Sequence, residues 1–479
     1  MKIKRTETLF IILTGLVTML ICTKSSPLYP TNDWVDANCY MTVGRAMTEG
    51  KMPYRDLFEH KGPIIYILHA AGALISDSSF FGIFLIETAV CIWFLYLCFS
   101  LVMRFTGKRF LWSVPLFAMI IYSSQTFCHG DSAEEFCLPI ILYSFILGLP
   151  TIESGTAMSD KSAFLLGVLS GIVLWMKFNL LGFYVGAFPV IAFLSRKNGA
   201  ASIIRMSSIA VLGIAAVSLP VILYFTAENS LYSMTEVYFY NNIFVYGGEK
   251  TSLFKNLLNG FVFTLRFFPL GTLMIVSGTA AAIRSRKKKY AAYGIASLIT
   301  AFFGTFAGHL SYRYYPLILA PFAVIFGTAA ISFISRKIRL PERSITAAFN
   351  LILCTAGAFI LSPNTYLMHF KKEQLPQYKF ADIINKTENP SLLNYGFLDG
   401  GFYLAADIIP EQRYFCCSNM KLDEMIKSQQ QAANDGVPDF IVTRSLSGTH
   451  PDFPLYTCIA EESFQYCDQT FHYFLFRRN

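Results

Sequence analysis

Across 479 residues, 54% are hydrophobic and only 15% charged, a balance that excludes a water-soluble chain built of several amphipathic domains. The formal net charge of +8 is not a nucleic-acid signature, because the lysines and arginines cluster in short loops between apolar runs, as the positive-inside bias of membrane proteins produces. Those runs recur at lengths near the ~20 residues that cross a bilayer.

The first run, Thr8 to Cys22, follows Lys2, Lys4 and Arg5. A cleaved signal peptide has the same charged start and apolar core, but Ile21-Cys22-Thr23-Lys24 is a poor cleavage site. The segment is read as an uncleaved anchor with a cytoplasmic N-terminus. A dense polar block follows: Asp33-Trp34-Val35-Asp36, Gly44-Arg45-Ala46-Met47, then Pro53-Tyr54-Arg55-Asp56-Leu57-Phe58-Glu59-His60-Lys61-Gly62-Pro63. Pro63 to Ile75 is short for a span and reads as interfacial or re-entrant. Charge agrees: Phe80 to Met103 runs into Arg104, Lys108 and Arg109, which belong inside. Residues 23–79 are therefore expected to form one long external segment.

The later spans alternate. Phe110–Phe127 goes out and Phe136–Leu149 returns. Ala163–Met176 goes out and Leu180–Leu194 returns to Ser195-Arg196-Lys197. Ile203–Phe225 goes out to a long aromatic external loop, Glu228 to Phe254. Leu257–Ile283 returns to the basic run Arg284 to Lys289. Ala291–Ala307 goes out, Tyr315–Ile334 returns, and Ile345–Leu361 goes out. About eleven spans result, with each dense basic loop on the inner side.

From Ser362 the composition becomes mixed, and residues 363–479 are read as a small α/β domain outside the membrane. A helix is expected to start over Tyr378–Lys386. Strands are expected at Leu392–Leu398, Phe440–Thr443 and His472–Phe476. Asp423–Asn434 reads as a helix closed by Gly436. The fold class is thus a polytopic α-helical membrane protein, residues 1–362, carrying an extracytoplasmic α/β domain. Of 11 cysteines, four fall in this last part, and an oxidising exterior allows a Cys458–Cys467 disulfide. No paired C-x-x-C, Walker loop, G-x-G-x-x-G or G-x-S-x-G occurs.

Three polar groups are expected to meet on the external side: Asp33 with Asp36, Glu59-His60-Lys61, and His129-Gly130-Asp131-Ser132-Ala133-Glu134-Glu135. Lys177 and Arg313 fall at external span ends. Carboxylates at a membrane surface can activate a hydroxyl or amine, while cations hold a lipid-borne phosphate. Each residue also has a plainer role. Asp36 can cap its helix, Asp33 can cap or be solvated, and Glu59 can pair with Lys61. Glu134 can be a solvated loop acid, Lys177 can snorkel, and Arg313 can pack on its tyrosines. Glu87 and Arg266 lie inside spans, where ionisable residues are functional candidates by default.

These blocks resemble the GT-C membrane glycosyltransferases, in the branch of the protein O-mannosyltransferases and the lipid A aminoarabinose transferase. The resemblance rests on Asp36-Ala37-Asn38-Cys39-Tyr40 with Arg45-Ala46-Met47. It continues in Phe58-Glu59-His60-Lys61-Gly62-Pro63, an acid at Asp131 or Glu134, the span Gly167 to Lys177, and Arg313-Tyr314-Tyr315-Pro316-Leu317. It covers roughly residues 1–330, and His60 is an insertion relative to the family pattern. It implies transfer of a sugar from a polyprenyl-phosphate-linked donor to an envelope glycan, lipid or protein, in a cell membrane of bacterial type and with inversion. It implies Asp36 as base, with Glu59 and Asp131 orienting the acceptor or sharing that role. Lys61, Lys177 and Arg313 become phosphate ligands, and Asp33, Tyr40, Arg45, His60 and Glu134 contacts to substrate. No metal is required by these residues, though paired carboxylates can hold a divalent cation. The competing reading is a transporter or flippase of lipid-linked glycans, which predicts charges along a midplane pathway rather than in loops. A third is a non-catalytic membrane scaffold.

Overall fold

The computed structural model describes residues 2–246, 252–285, 288–308, 311–420, 422–466 and 469–479. The sequence expectations that fall on residues 247–251, 286–287, 309–310 and Cys467 lie outside these. The helices run in the order α1 (Arg5–Cys22), α2 (Val35–Thr48), α3 (Pro63–Ala73), α4 (Phe81–Thr106), α5 (Ser113–Tyr122), α6 (Ala133–Ser154), α7 (Asp160–Lys177), α8 (Gly182–Ser195) and α9 (Ala200–Ala227). After the single turn α10 (Leu231–Met234), a π-helical stretch occupies Thr235–Val245. Then come α11 (Leu253–Phe267), α12 (Pro269–Arg284), α13 (Lys288–Phe306), α14 (Ala320–Ile334) and α15 (Ser344–Leu361).

Among the described residues, seven helical stretches are long and apolar enough to cross a membrane, or eight if one bent pair counts as a single span. The expected eleven regroup for local reasons. Leu257–Ile283 falls on two helices, α11 and α12, bent by 105°, which is a broken span or a re-entrant pair. Pro269 opens α12, and Phe268 before it leaves the helical region at φ −133° and ψ 49°. A proline offers no N–H and crowds the preceding residue out of the α conformation. Phe110–Phe127 is helical only over the 10 residues of α5. Past Tyr122 the Ser123 and Ser124 hydroxyls turn back to the carbonyls of Met119 and Ile121. Ala163–Met176 and Leu180–Leu194 are α7 and α8, joined by one 3-10 turn, Phe178–Leu181. By length and apolarity Asp160–Asn198 counts as one stretch of 39 residues.

The chain divides into two compact units. The first comprises residues 1–23, 87–221 and 250–365. In it α12 packs along α14, α8 along α13, and α1 and α5 with α15. Its helix ends carry ordinary signals. Ser132 caps α6 by accepting from Glu135 N–H at 3.1 Å, with Glu134 and Glu135 in the first turn where the helix dipole favours negative charge. Ser159 caps α7, and α6 ends on Gly155 at φ +69°.

The second unit unites residues 24–86 and 222–249 with 366–479. Its helices α2 and α3 lie so close that a Cβ on Gly44 would stand 2.5 Å from His69 Cβ. Its C-terminal stretch holds α16 (Pro376–Ile384), β1 (Leu392–Asn394), α17 (Phe402–Ala405), α18 (Asp423–Asn434), β2 (Phe440–Ser445), β3 (Tyr456–Tyr466) and β4 (Gln469–Arg478). The sheet order is β1-β2-β4-β3, with β1 parallel to β2 and the other pairs antiparallel. Leu393, Ile441, Phe474 and Phe476 bury their side chains with Ala432, Ala433, Phe453 and Tyr456. Strand β1 stops short of the expected Leu398 because Asn394 turns its amide to the carbonyls of Phe397 and Leu398, and Gly396 takes φ +80°. Helix α18 has the expected bounds and is followed by Gly436 at φ +64°. Strand β3 was not expected: its side chains are mostly exposed, so it has no apolar alternation to read.

Candidate functional site

In the second unit, Asp36 sits in the first turn of α2 and is 6% exposed. Tyr40, one turn on, donates its hydroxyl to Asp36 Oδ2 at 3.4 Å. The Lys61 ammonium stands 3.6 Å from Asp36 Oδ2 and 3.9 Å from Glu59 Oε1, and 5.5 Å from the centre of the Tyr40 ring. One cation thus bridges two buried carboxylates, an arrangement that offsets the cost of taking each charge out of water. Among the described residues, no group of three or more His, Cys, Asp or Glu is arranged to hold a metal ion.

The loop before α3 is fixed by its own backbone. Lys61 N–H donates to Glu59 Oε2 and reaches the Tyr66 hydroxyl, both at 2.9 Å. Tyr66 in turn donates to Glu59, and Tyr54 donates to the Lys61 carbonyl at 2.7 Å. The inserted His60 is buried, with Nδ1 3.3 Å from Glu59 Oε1 and 3.3 Å from the Ser418 hydroxyl. Its ring packs 4.9 Å from that of Tyr246, and its carbonyl accepts from Asn242 at 2.7 Å.

The remaining candidates of this unit turn elsewhere. Asp33 is held by Lys24 at 2.5 Å and by the Tyr366 hydroxyl at 3.1 Å. Arg45 pairs with Asp407 and reaches the Tyr403 carbonyl. Asp56 binds Arg55 through two contacts of 2.8 Å, and this hydrogen bonding holds its carboxyl below the usual range. On α2, Thr42 donates to Asp399 at 2.6 Å. Burial pushes the Asp399 carboxyl up to about 6, against the lowering effect of Thr42, the Gly401 N–H and Arg45.

In the first unit, Lys177 at the end of α7 meets Glu134 at 2.6 Å. Its ammonium lies 4.4 Å from the Tyr315 ring centre and 5.4 Å from that of Tyr314. Arg313 donates Nε–H to the Gln125 carbonyl at 3.1 Å and lies over Phe267 at 5.6 Å. The two acids left open by the sequence part company. Both are buried, but Glu134 faces Lys177, whereas the Asp131 N–H donates to Glu87 at 2.8 Å and to Glu135 at 2.9 Å. Thr23 donates to Glu87 at 2.8 Å. Cys128, Gly130 and Asp131 all have positive φ. A Cβ on Gly130 would meet Thr23 Oγ1 at 2.3 Å.

Sequence reasoning did not single out Tyr66, Thr42, Asp399 or Ser418. Tyr66 is one aromatic in an apolar run, and the other contacts join positions hundreds of residues apart. Its spacing seven residues beyond Glu59 was the one available hint.

No protein-family profile matches the chain, and no curated protein matches it in sequence. The solved structures give a different result. ArnT from Cupriavidus metallidurans bound to undecaprenyl phosphate superposes with a TM-score of 0.61 at 12% identity, covering 98% of this chain and 97% of that one. The same protein in the apo state gives 0.60 at 13% identity over the same shares. Matching over nearly the full length of both chains, the protein has the fold of ArnT and is a polytopic membrane protein.

Proposed function

We propose that the protein is an integral membrane glycosyltransferase that moves a sugar from a polyprenyl-phosphate-linked donor to an envelope acceptor. The observation that carries this reading is Asp36, buried and 3.6 Å from Lys61, on the fold of a protein crystallised with undecaprenyl phosphate. A carboxylate and an ammonium side by side supply the two things that the reaction needs. Asp36 takes the proton of the acceptor hydroxyl or amine, which attacks the anomeric carbon. The bond from that carbon to the phosphate oxygen breaks, and polyprenyl phosphate leaves with its charge balanced by Lys61. Lys177 and Arg313 are further cations for the phosphate. Attack opposite the leaving group inverts the anomeric centre.

Glu59 orients the acceptor, its carboxylate fixed by Tyr66 and the Lys61 N–H. For the second loop, Glu134 is the better placed acid, because it faces a cation and two tyrosines. Asp131 is the weaker candidate there, since its backbone N–H is engaged by two further acids, Glu87 and Glu135. The catalytic surface is assigned to the outer face of the membrane, in keeping with the positive-inside count.

The test is sugar transfer from polyprenyl-phosphate-linked donors by the purified protein in lipid. Transfer by the wild type that collapses in Asp36→Asn, at unchanged thermal stability, supports the enzyme and its base. Transfer that survives the substitution removes Asp36 from that role. Translocation of the lipid without transfer overturns the reading in favour of a flippase.

A further inference from the structure

Two cysteines far apart in the chain meet in the second unit. Cys39 lies on α2, one turn past Asp36. Cys416 lies in the segment between α17 and α18, 377 residues later. Their sulfurs are 3.7 Å apart, and both residues are buried, at 0% and 2% exposure. That separation is van der Waals contact between two thiols. Forming a bond requires the sulfurs to approach by less than 2 Å, with disulfide S–S bonds near 2.05 Å. The surroundings hold the two segments in register on both sides. Thr42 bonds Asp399, Arg45 pairs with Asp407, and Phe58 N–H donates to the Arg413 carbonyl at 2.7 Å.

We propose that Cys39 and Cys416 form a disulfide in the mature protein, tying the helix that carries Asp36 to the C-terminal segment. The inference rests on the outward placement of this unit, where oxidising conditions let disulfides persist. It does not depend on the transfer reaction. The bond forms by exchange with an external disulfide: two thiols lose two protons and two electrons, the Cys39–Cys416 bond forms, and the oxidant is released as two thiols. Exchange needs a thiolate, and burial holds both of these thiols above their ordinary range. The reaction therefore belongs to assembly, before the two segments close over one another, and the finished bond is shielded from reductants. Cys417, next in sequence and only partly buried, is the competing thiol. The expected Cys458–Cys467 bond involves a residue outside those described, while Cys458 itself is exposed.

The experiment uses the full-length protein expressed in a host with an oxidising envelope. Membranes are denatured in the presence of N-ethylmaleimide, which caps every free thiol, and the protein is digested without reduction. Trypsin leaves Cys39 in one peptide, and Cys416 with Cys417 in another, so the Cys417→Ser variant is digested in parallel. The expected result is a peptide pair joining Cys39 to Cys416 in both proteins. Prior reduction abolishes the pair and restores two maleimide-modified cysteines. Maleimide on both Cys39 and Cys416 in the unreduced sample overturns the proposal, as does a link that is lost in Cys417→Ser. Because the mapping is done on the wild type, it does not depend on a cysteine-less protein folding.

Discussion

Lys61 serves two carboxylates at once, and this sets what each neighbouring substitution does. Asp36→Asn removes the proposed proton acceptor while keeping the side chain's shape, so turnover should fall ~10²–10⁴-fold with little change in the thermal midpoint. Lys61→Met leaves Asp36 and Glu59 facing one another without their cation. It should therefore lower both activity and stability, the latter by about 3–5 kcal/mol if the pair behaves as other buried ion pairs do. Comparing thermal midpoints of the two variants in one detergent separates these effects. In the first unit, Glu134→Gln should reduce turnover more than Asp131→Asn. Equal losses, or the reverse order, would discard the preference for Glu134.

Asp399 makes a sharper case at the same scale. Its folded pKa near 6 lies above the ordinary carboxylate value, so between about pH 4 and 6 the folded protein binds more protons than the unfolded chain. Its contribution to stability consequently falls as pH rises through that window. Two pKa units correspond to about 3 kcal/mol at most. Asn at this position keeps an acceptor for Thr42 or Gly401 and cannot ionise. The gap in thermal midpoint between Asp399→Asn and wild type should widen in the variant's favour from pH 4 to pH 7. A constant gap would mean that the carboxyl does not titrate there.

At the scale of elements, the loop leading into α6 is where backbone conformation and side-chain chemistry are most tightly joined. Gly130 takes φ +85° with Thr23 and Glu87 against it. Gly130→Ala should cost about 1–3 kcal/mol from conformation alone and displace the Thr23–Glu87 bond. A midpoint unchanged from wild type would show that the loop relaxes freely. Helices were legible in the sequence wherever apolarity ran long enough, as in α1, α4, α9 and α15. Their bounds are not legible where one residue interrupts such a run. Pro269 breaks a span that hydropathy alone makes continuous, and the serines past Tyr122 end α5 early. The polar block of α2 was legible as chemistry because carboxylates and bases have no other reason to crowd beside a membrane. The partners of Asp33 and Arg45 were not, since Lys24 lies across a turn and Asp407 is hundreds of residues away. Local spacing carries no information about either.

For the whole molecule, the sequence gives a topology that side-specific labelling can check. Cys458 is exposed on β3, so an impermeant maleimide should label it in intact cells of a Cys467→Ser strain, and Cys458→Ser should abolish that signal. Labelling only after the membrane is permeabilised would invert the assigned orientation. Sequence reading recovered a polytopic, mostly helical membrane protein, though not its count of spans, despite 12–13% identity to ArnT. What it relied on, the alternation of apolar runs and basic loops, is imposed by the bilayer rather than by ancestry.

The second unit begins at residue 24 and is completed only by residues 366–479. A ribosome therefore releases the segment bearing Asp36 long before it makes Asp399, Asp407 and Ser418, the groups that hold Thr42, Arg45 and His60. The nascent chain passes through most of its synthesis with this segment unfinished, so the proposed activity should appear only on completion. A chain stopped after Thr365 keeps every candidate catalytic residue named above, yet it should be inactive and readily cleaved by protease within residues 24–62. Activity or protease resistance in that truncated chain would show that residues 24–62 hold their conformation without residues 366–479.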